Sequence, residues 1–192
     1  MPDAFEYASL PDGQAAEIAM WRGEAIGAYT ELEMSLASLF ETLLESSEEV
    51  AGTIFFTLTS TAARNNLLRQ LIIQKHADSY EDFFKSTFKI IQDLDSFRNK
   101  CAHYVVVSRQ GDGPSRYDLR RHRFWAREDA ETVSIDEIRE FIRKCRFVAG
   151  SLNLFRVATG QMTGMPAEEV ARLAPLYRTA IQYPPKPGHP MY

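Results

Sequence analysis

Apolar residues recur at helical spacing in four long stretches of the chain. These stretches run from Ile18 to Leu43, from Ala51 to His76, from Tyr80 to Tyr104 and from Ile138 to Phe155. Residues three, four and seven positions apart fall on one face of an α-helix, so each stretch predicts an amphipathic helix. Four such helices with short connections predict an all-α fold built on an antiparallel four-helix bundle.

The first and fourth helices have the clearest patterns. The first has a near-heptad stripe of Ile18, Ala25, Leu32 and Leu39, flanked by Tyr29, Leu36 and Leu43. The fourth has a stripe of Ile138, Phe141, Cys145, Val148, Leu152 and Phe155. Ser134 and Glu137 form a capping-box pattern before the fourth helix, and Gly160 is placed to end it.

The second and third helices are predicted from shorter stripes. The second carries Ile54, Leu58, Leu68, Leu71 and Ile72, with an unusually polar middle at Ser60, Thr61, Arg64, Asn65 and Asn66. The third carries Phe84, Phe88, Ile91, Leu94 and Cys101.

The segments outside these helices predict a few smaller elements. Between the third and fourth helices, β-branched residues, a Gly-Asp-Gly-Pro turn and an alternating stretch predict a small β-hairpin at about residues 105–127. Pro166 starts a short helix as its first residue. The segment Tyr183–Tyr192 holds four prolines and is expected to form an extended arm. We therefore predict a helical domain over residues 1–160, followed by a short helix and an arm over 161–192.

Composition places the chain among folded proteins. Of its 192 residues, 45% are apolar, which excludes a disordered chain and suffices for a core. Its two cysteines, Cys101 and Cys145, lie in helical patterns and predict buried thiols in a reducing, cytoplasmic setting. No apolar run approaches a membrane span, and residues 1–12 lack the pattern of a secretory signal.

Charge is strongly segregated along the chain, although the net charge is only −4. Residues 1–60 hold eleven acidic residues and one arginine, whereas residues 98–127 hold eight basic and two acidic residues. A positive segment of this kind can concentrate an anionic ligand whatever the total charge. The alternative is that the basic segment packs on the acidic first helix, within or between subunits.

Several common site motifs are missing from the sequence. It contains no CxxC pair, no HExxH and no glycine-rich phosphate loop. We therefore expect neither a metal nor a nucleotide cofactor.

One cluster of polar residues could carry chemistry. Residues 97–104 read Phe-Arg-Asn-Lys-Cys-Ala-His-Tyr and end the third helix. At about 100° per residue, Asn99 and His103 lie about 40° apart on the helix, whereas Arg98 and His103 lie about 140° apart. A two-fold dimer could bring two such motifs face to face and complete one site.

These side chains suit metal-free cleavage of RNA. Histidine titrates near neutrality and can act as acid or base, and arginine stabilises a pentacoordinate phosphorane. Together they could activate a ribose 2′-hydroxyl, which DNA lacks. The spacing alone favours the alternative, in which Arg98 pairs with a glutamate of the first helix and His103 caps the third.

The segment Arg98-Asn99-x3-His103, at the end of the third helix of a predicted four-helix bundle, resembles the Arg-polar-x3-His signature of the HEPN superfamily. It is most similar to bacterial single-domain members that read R-N-x-x-A-H. The resemblance spans roughly residues 15–160 and implies a homodimer that brings the two motifs together. It further implies a metal-independent endoribonuclease, of toxin–antitoxin or phage-defence type, that acts on RNA.

By the same resemblance, Arg98 would stabilise the scissile phosphate, His103 would be the acid and base, and Asn99 would assist. Some toxin members have a tyrosine two places after the histidine, where this chain has Val105, with Tyr104 one place earlier. Other members of the superfamily are non-catalytic modules that bind a partner protein or a nucleotide. That alternative, with an antitoxin or another protein as partner, stays open.

Further basic and aromatic residues are candidates for contacts with the substrate. These are Arg64, Lys100, Tyr104, Arg120, Arg121 and Arg123, with Arg116 in the same hairpin. The arginines of the hairpin could follow an RNA backbone, since phosphate contacts of this kind do not depend on sequence. Arg64, with Ser60 and Asn65, could line the same cleft, or it could pair with Glu31 or Glu33.

Overall fold

The computed structural model describes residues 13–109, 116–122, 131–160, 166–187 and 189–192. These residues are mostly helical, with one small antiparallel sheet. The helices are α1 (Gly13–Leu44), α2 (Glu48–Thr57), α3 (Thr61–His76), α4 (Glu81–His103), α5 (Ile135–Ala158) and α6 (Ala167–Leu173), with a 3-10 helix at Ala174–Arg178. The strands are β1 (Val105–Arg109), β2 (Arg116–Arg120) and β3 (Thr132–Val133). No helix in these ranges is long and apolar enough to cross a membrane.

The stripes predicted for the first and fourth helices are confirmed. All seven stripe residues of α1 and all six of α5 are buried. At the start of α5, the Glu137 carboxylate accepts a hydrogen bond of 2.8 Å from the Ser134 backbone N–H, and the Ser134 hydroxyl accepts one of 3.3 Å from the Glu137 N–H. This is the predicted capping box. Gly160 follows the helix with a φ of 69°, as expected of a terminating glycine.

The single second helix predicted over Ala51–His76 is wrong, because the chain forms two helices there. The backbone is extended at Leu58 and at Ser60, and the Ser60 hydroxyl accepts a hydrogen bond from the Ala63 N–H at the start of α3. Hydroxyl side chains compete for backbone hydrogen bonds and favour caps over helix interiors. The polar middle of this segment was therefore the signal of a helix start. Ile54, assigned to the stripe, is 40% exposed, while Phe55 is buried.

The predicted pairing of two antiparallel strands after the third helix is confirmed. Val105 pairs with Arg120, and Arg109 pairs with Arg116. The predicted turn, the rest of the second strand and Arg123 lie outside the described residues. A third strand, which the sequence did not predict, pairs Leu119 with Val133. Both of these side chains are buried, so this face of the sheet faces the core.

The end of the chain differs from the expected arm. Pro166 is the N-cap of α6 rather than its first residue. Beyond residue 180 the chain turns back on α5, where the Tyr183 and His189 rings lie 5.2 and 5.6 Å from the Phe147 ring. A Cβ at Gly150 would lie only 2.3 Å from the Met191 side chain, so this glycine makes room for the tail. Tyr183, which precedes the four prolines, and Met191, which follows them, are apolar side chains that allow the tail to pack.

The chain divides into two compact units. The first comprises Met1–Tyr29 and Ser96–Arg143, and the second comprises Thr30–Asp95 and Lys144–Tyr192. In the first unit, Phe141 stacks with Tyr29 and Phe97, at ring distances of 6.4 and 4.8 Å.

The core of the second unit is largely aromatic. The Phe155 ring contacts the rings of His76, Tyr80, Phe83, Phe84 and Tyr177. The two cysteines are buried, Cys101 in the first unit and Cys145 in the second.

Candidate functional site

The candidate motif occupies the last turns of α4, in the first unit. Helix α4 ends at His103, and the Tyr104 N–H closes its last turn on the Lys100 carbonyl at 2.9 Å. Arg22 of α1 donates a hydrogen bond of 2.6 Å to the Ala102 carbonyl. The last four carbonyls of a helix lack partners within it, so Arg22 satisfies one that the helix cannot. The turn that carries His103 is thereby anchored to α1.

Arg98 lies at the half-buried edge of the motif. Its Nη1 donates a hydrogen bond of 3.2 Å to Asn99 Oδ1, and its Cζ lies 5.8 Å from the centre of the Tyr29 ring. Within the described residues it forms no salt bridge. The partner from the first helix is therefore an aromatic ring rather than the glutamate that the structural alternative expected.

Asn99 and His103 are both exposed to solvent. They are four residues apart on α4, so their side chains share one face of the helix. Among the residues that the structure describes, the His103 side chain has no hydrogen bond or ion pair. Both side chains are therefore accessible to a ligand from solvent.

Lys100 has a partner within the same unit. Its Nζ lies 2.5 Å from Glu131 Oε1 and 6.0 Å from the centre of the Phe97 ring. The next residue, Cys101, is fully buried, and burial raises the pKa of its thiol to about 11. Lys100 therefore ties α4 to the segment before β3, and Cys101 belongs to the core.

The sheet places a basic residue next to the motif. The register sets Arg120 opposite Val105, two residues after His103, and opposite Thr132 on its other side. Because side chains alternate along a strand, Arg120 lies on the face opposite the buried Leu119. Arg121 is exposed and Tyr104 is half-buried, whereas the Arg116 side chain lies outside the description. Tyr104 is thus the residue directly after the motif, and Arg120 pairs with the residue after that, with Arg121 next to it.

Arg64 lies in the second unit and is held by structural partners. Its Nη1 forms a salt bridge of 2.6 Å with Glu33, and its Nε donates to the Leu58 carbonyl at 2.8 Å. The guanidinium also lies 5.4 Å from the Phe55 ring. The pairing with Glu33 that the sequence allowed is therefore present and joins α3 to α1, whereas the hydrogen bond to Leu58 spans the break between α2 and α3.

Three acidic residues of α1 find their partners on other helices. The pairs are Glu17 with Arg139, Glu31 with Arg146 and Glu33 with Arg64. None of these arginines belongs to the basic segment 98–127. Within the described residues, these three glutamates therefore do not pair with the basic segment.

Three residues of the site environment were not predicted, namely Arg22, Tyr29 as a partner of Arg98, and Glu131. Arg22 carried a signal, since it is the one basic residue among the first 60. Its partner is a backbone carbonyl, however, and a sequence pattern does not show that contact.

No protein-family model matches the chain, and neither a curated protein nor a solved structure matches it. The chemistry of the site is therefore argued from its own residues.

Proposed function

We propose that this chain is a metal-independent endoribonuclease of HEPN type, built on a four-helix bundle and active as a homodimer. The observation that carries the proposal is the end of α4, where an exposed His103 shares a helix face with Asn99, which accepts a hydrogen bond from Arg98. Acid–base, polar and cationic groups thus lie within six consecutive residues. Arg120 and Arg121, next to this end, add positive charge for an RNA backbone.

The proposed reaction is an attack of a ribose 2′-hydroxyl on the neighbouring phosphorus. His103 takes the hydroxyl proton, and the new P–O2′ bond forms as the P–O5′ bond breaks. The imidazolium of His103 returns a proton to the leaving 5′-oxygen, and the products are a 2′,3′-cyclic phosphate and a 5′-hydroxyl. Arg98 stabilises the extra negative charge on the phosphorane through charge-assisted hydrogen bonds.

A dimer supplies the geometry that one helix lacks. Arg98 and His103 lie about 140° apart around α4, so one copy aims them at one phosphate poorly. A two-fold axis near the end of α4 would place Arg98 of one chain beside His103 of the other.

Cleavage of RNA in excess EDTA, with analysis of the product ends, tests the proposal. We expect 2′,3′-cyclic phosphate ends from the wild type and a loss of at least about 100-fold with His103→Ala. The exposed Gln74→Ala, on α3, is the matched control and should retain activity. Undiminished cleavage by His103→Ala would overturn the proposal. Binding of RNA without cleavage by the wild type would favour the non-catalytic module instead.

A mixing experiment tests the composite site. Arg98→Ala and His103→Ala chains are each expected to be inactive alone. Mixed, they form heterodimers that hold one intact arginine and one intact histidine, and part of the activity should return. If the mixture stays inactive although heterodimers form, the site is not shared in this way.

A further inference from the structure

A groove of about 360 Å³ lies between α1 and α2, within the second unit. Met34 and Glu41 line it from α1, and Glu48, Gly52 and Phe56 line it from α2. Glu48, Gly52 and Phe56 are spaced four residues apart, so they form one face of α2. At 1.5 Å per residue, this face extends for about 12 Å, which matches two turns of a bound helix.

Two large apolar side chains of the groove are open to solvent. Met34 is 49% exposed and Phe56 is 48% exposed. Single exposed apolar residues are ordinary, but two of them in one concavity mark a surface that gains free energy when it is covered. Methionine is suited to such a place, since its flexible thioether adapts to different partners.

The rim of the groove is acidic. Glu41, Glu48 and Glu49 line it, and none of them has a salt bridge with a described cation. Elsewhere on α1, by contrast, Glu33 pairs with Arg64. No lysine or arginine is among the lining residues. The groove therefore combines an apolar floor with a rim that attracts cations.

Gly52 leaves the floor of the groove open. A Cβ added at this position would meet no atom within 4 Å. Glycine disfavours a helix relative to alanine, so its presence in α2 has no local benefit to folding. A partner backbone can approach α2 closely at this point.

We propose that this groove binds an amphipathic helix rich in lysine or arginine, supplied by another protein. Apolar side chains of that helix cover Met34 and Phe56, and its cations face Glu41, Glu48 and Glu49. Helices that lie in grooves are recognised by apolar anchors at this spacing, and complementary charge selects the partner. The proposal is independent of RNA cleavage, because it uses none of Arg98, Asn99 and His103.

Fluorescence anisotropy with synthetic helical peptides of about four turns tests the proposal. The probe carries leucines at positions i, i+3, i+4 and i+7 and lysines on the other face. One comparison peptide has glutamate in place of lysine, and a second has serine in place of leucine. We expect binding of the lysine–leucine peptide alone, and roughly tenfold weaker binding to Glu48→Gln/Glu49→Gln. Equal binding of the glutamate peptide would overturn the proposal.

Gly52→Met adds a long side chain at a position of the groove where a Cβ meets no atom within 4 Å, and Gly52→Ala is its matched control. Both variants should fold, since both residues favour a helix more than glycine does. We expect Gly52→Met to weaken binding of the lysine–leucine peptide at least about tenfold and Gly52→Ala to leave it within about twofold. Equal binding to wild type and Gly52→Met would place the peptide elsewhere.

Sedimentation of the free protein tests whether the groove is occupied instead by a second copy of this chain. We expect the same oligomeric state in wild type and Gly52→Met, whether or not the proposed RNase dimer forms. If Gly52→Met dissociates an oligomer of the wild type, the groove belongs to a second copy and the proposal of a foreign helix is overturned.

Discussion

The guanidinium of Arg22 in α1 donates a hydrogen bond of 2.6 Å to the carbonyl of Ala102, eighty residues away at the end of α4. The next residue is His103, the last of the helix. A charged donor therefore bonds to a carbonyl that has no partner within the helix, in the turn that carries the candidate histidine. The order of that turn depends on a residue that takes no part in the proposed chemistry.

Arg22→Ala should loosen the end of α4. A hydrogen bond from a charged group contributes about 1.5–3 kcal/mol, so we expect a loss of that order in the free energy of unfolding. The Tyr104 amide, bonded to the Lys100 carbonyl, should exchange with solvent faster than in the wild type. Urea unfolding and amide hydrogen exchange measure the two effects, and Arg22→Lys should restore part of both. Unchanged exchange at Tyr104 would contradict the anchoring role.

Arg64 and Glu33 should couple more strongly than an exposed pair. Their side chains are only 15% and 21% exposed, whereas those of Arg139 and Glu17 are 38% and 40% exposed. We expect a double-mutant-cycle coupling of about 1–2 kcal/mol for Arg64–Glu33 and below about 1 kcal/mol for Arg139–Glu17. Chemical denaturation of the single and double alanine variants measures both. Equal couplings would show that burial does not strengthen the Arg64 pair.

Much of the helical structure could be predicted because the apolar residues spaced along each helix are the ones that the core buries. The α1 and α5 stripes, and the reciprocal cap of Ser134 and Glu137, were predicted from spacing alone. Hydrophobic spacing does not show the break before α3, because the signal there is polar: the Ser60 hydroxyl starts the helix. β3 was missed because two residues form too short a pattern to stand out.

The candidate site was predictable in its residues but not in its contacts. That Arg98 and His103 lie near the end of one helix follows from the α4 pattern. The Tyr29 ring below Arg98 and the Arg22 contact on Ala102 connect distant parts of the chain. Spacing along one helix does not carry that information. A carboxylate was the natural expectation for Arg98, and a ring contact takes its place.

Substitution by alanine should change the stability in opposite directions at Gly160 and at Gly52. Gly160 has a φ of 69°, where a Cβ costs about 1–2 kcal/mol, so Gly160→Ala should destabilise the protein by that amount. Gly52 lies within α2 with open space around it, so Gly52→Ala should stabilise by about 0.5–1 kcal/mol. Thermal and urea unfolding measure both changes. A destabilised Gly52→Ala would contradict the open surroundings of that position.

His76 should make stability depend on pH. Burial against Phe155 and Tyr80, and then the charge of Lys75, lower the pKa of His76 below its ordinary value. The unfolded chain thus binds the proton more readily, so this contribution to stability is present above about pH 6.5 and is lost as pH falls through the folded-state pKa. NMR titration of the imidazole should give a midpoint below the ordinary value, and Lys75→Gln should raise it. A midpoint at or above the ordinary value would contradict the prediction.

Cys101 should make the stability of the protein depend on pH in the alkaline range. Burial raises the pKa of its thiol from 9.0 to about 11, so the folded state holds the proton more tightly than the unfolded chain. Its contribution to stability is full below about pH 9 and is lost as pH rises through about 11. Because lysines and tyrosines also titrate there, the measurement is the difference in urea unfolding between wild type and Cys101→Ala from pH 8 to pH 11. The wild type should lose more stability than the variant over this range, and parallel curves would show that the thiol does not titrate as its burial requires.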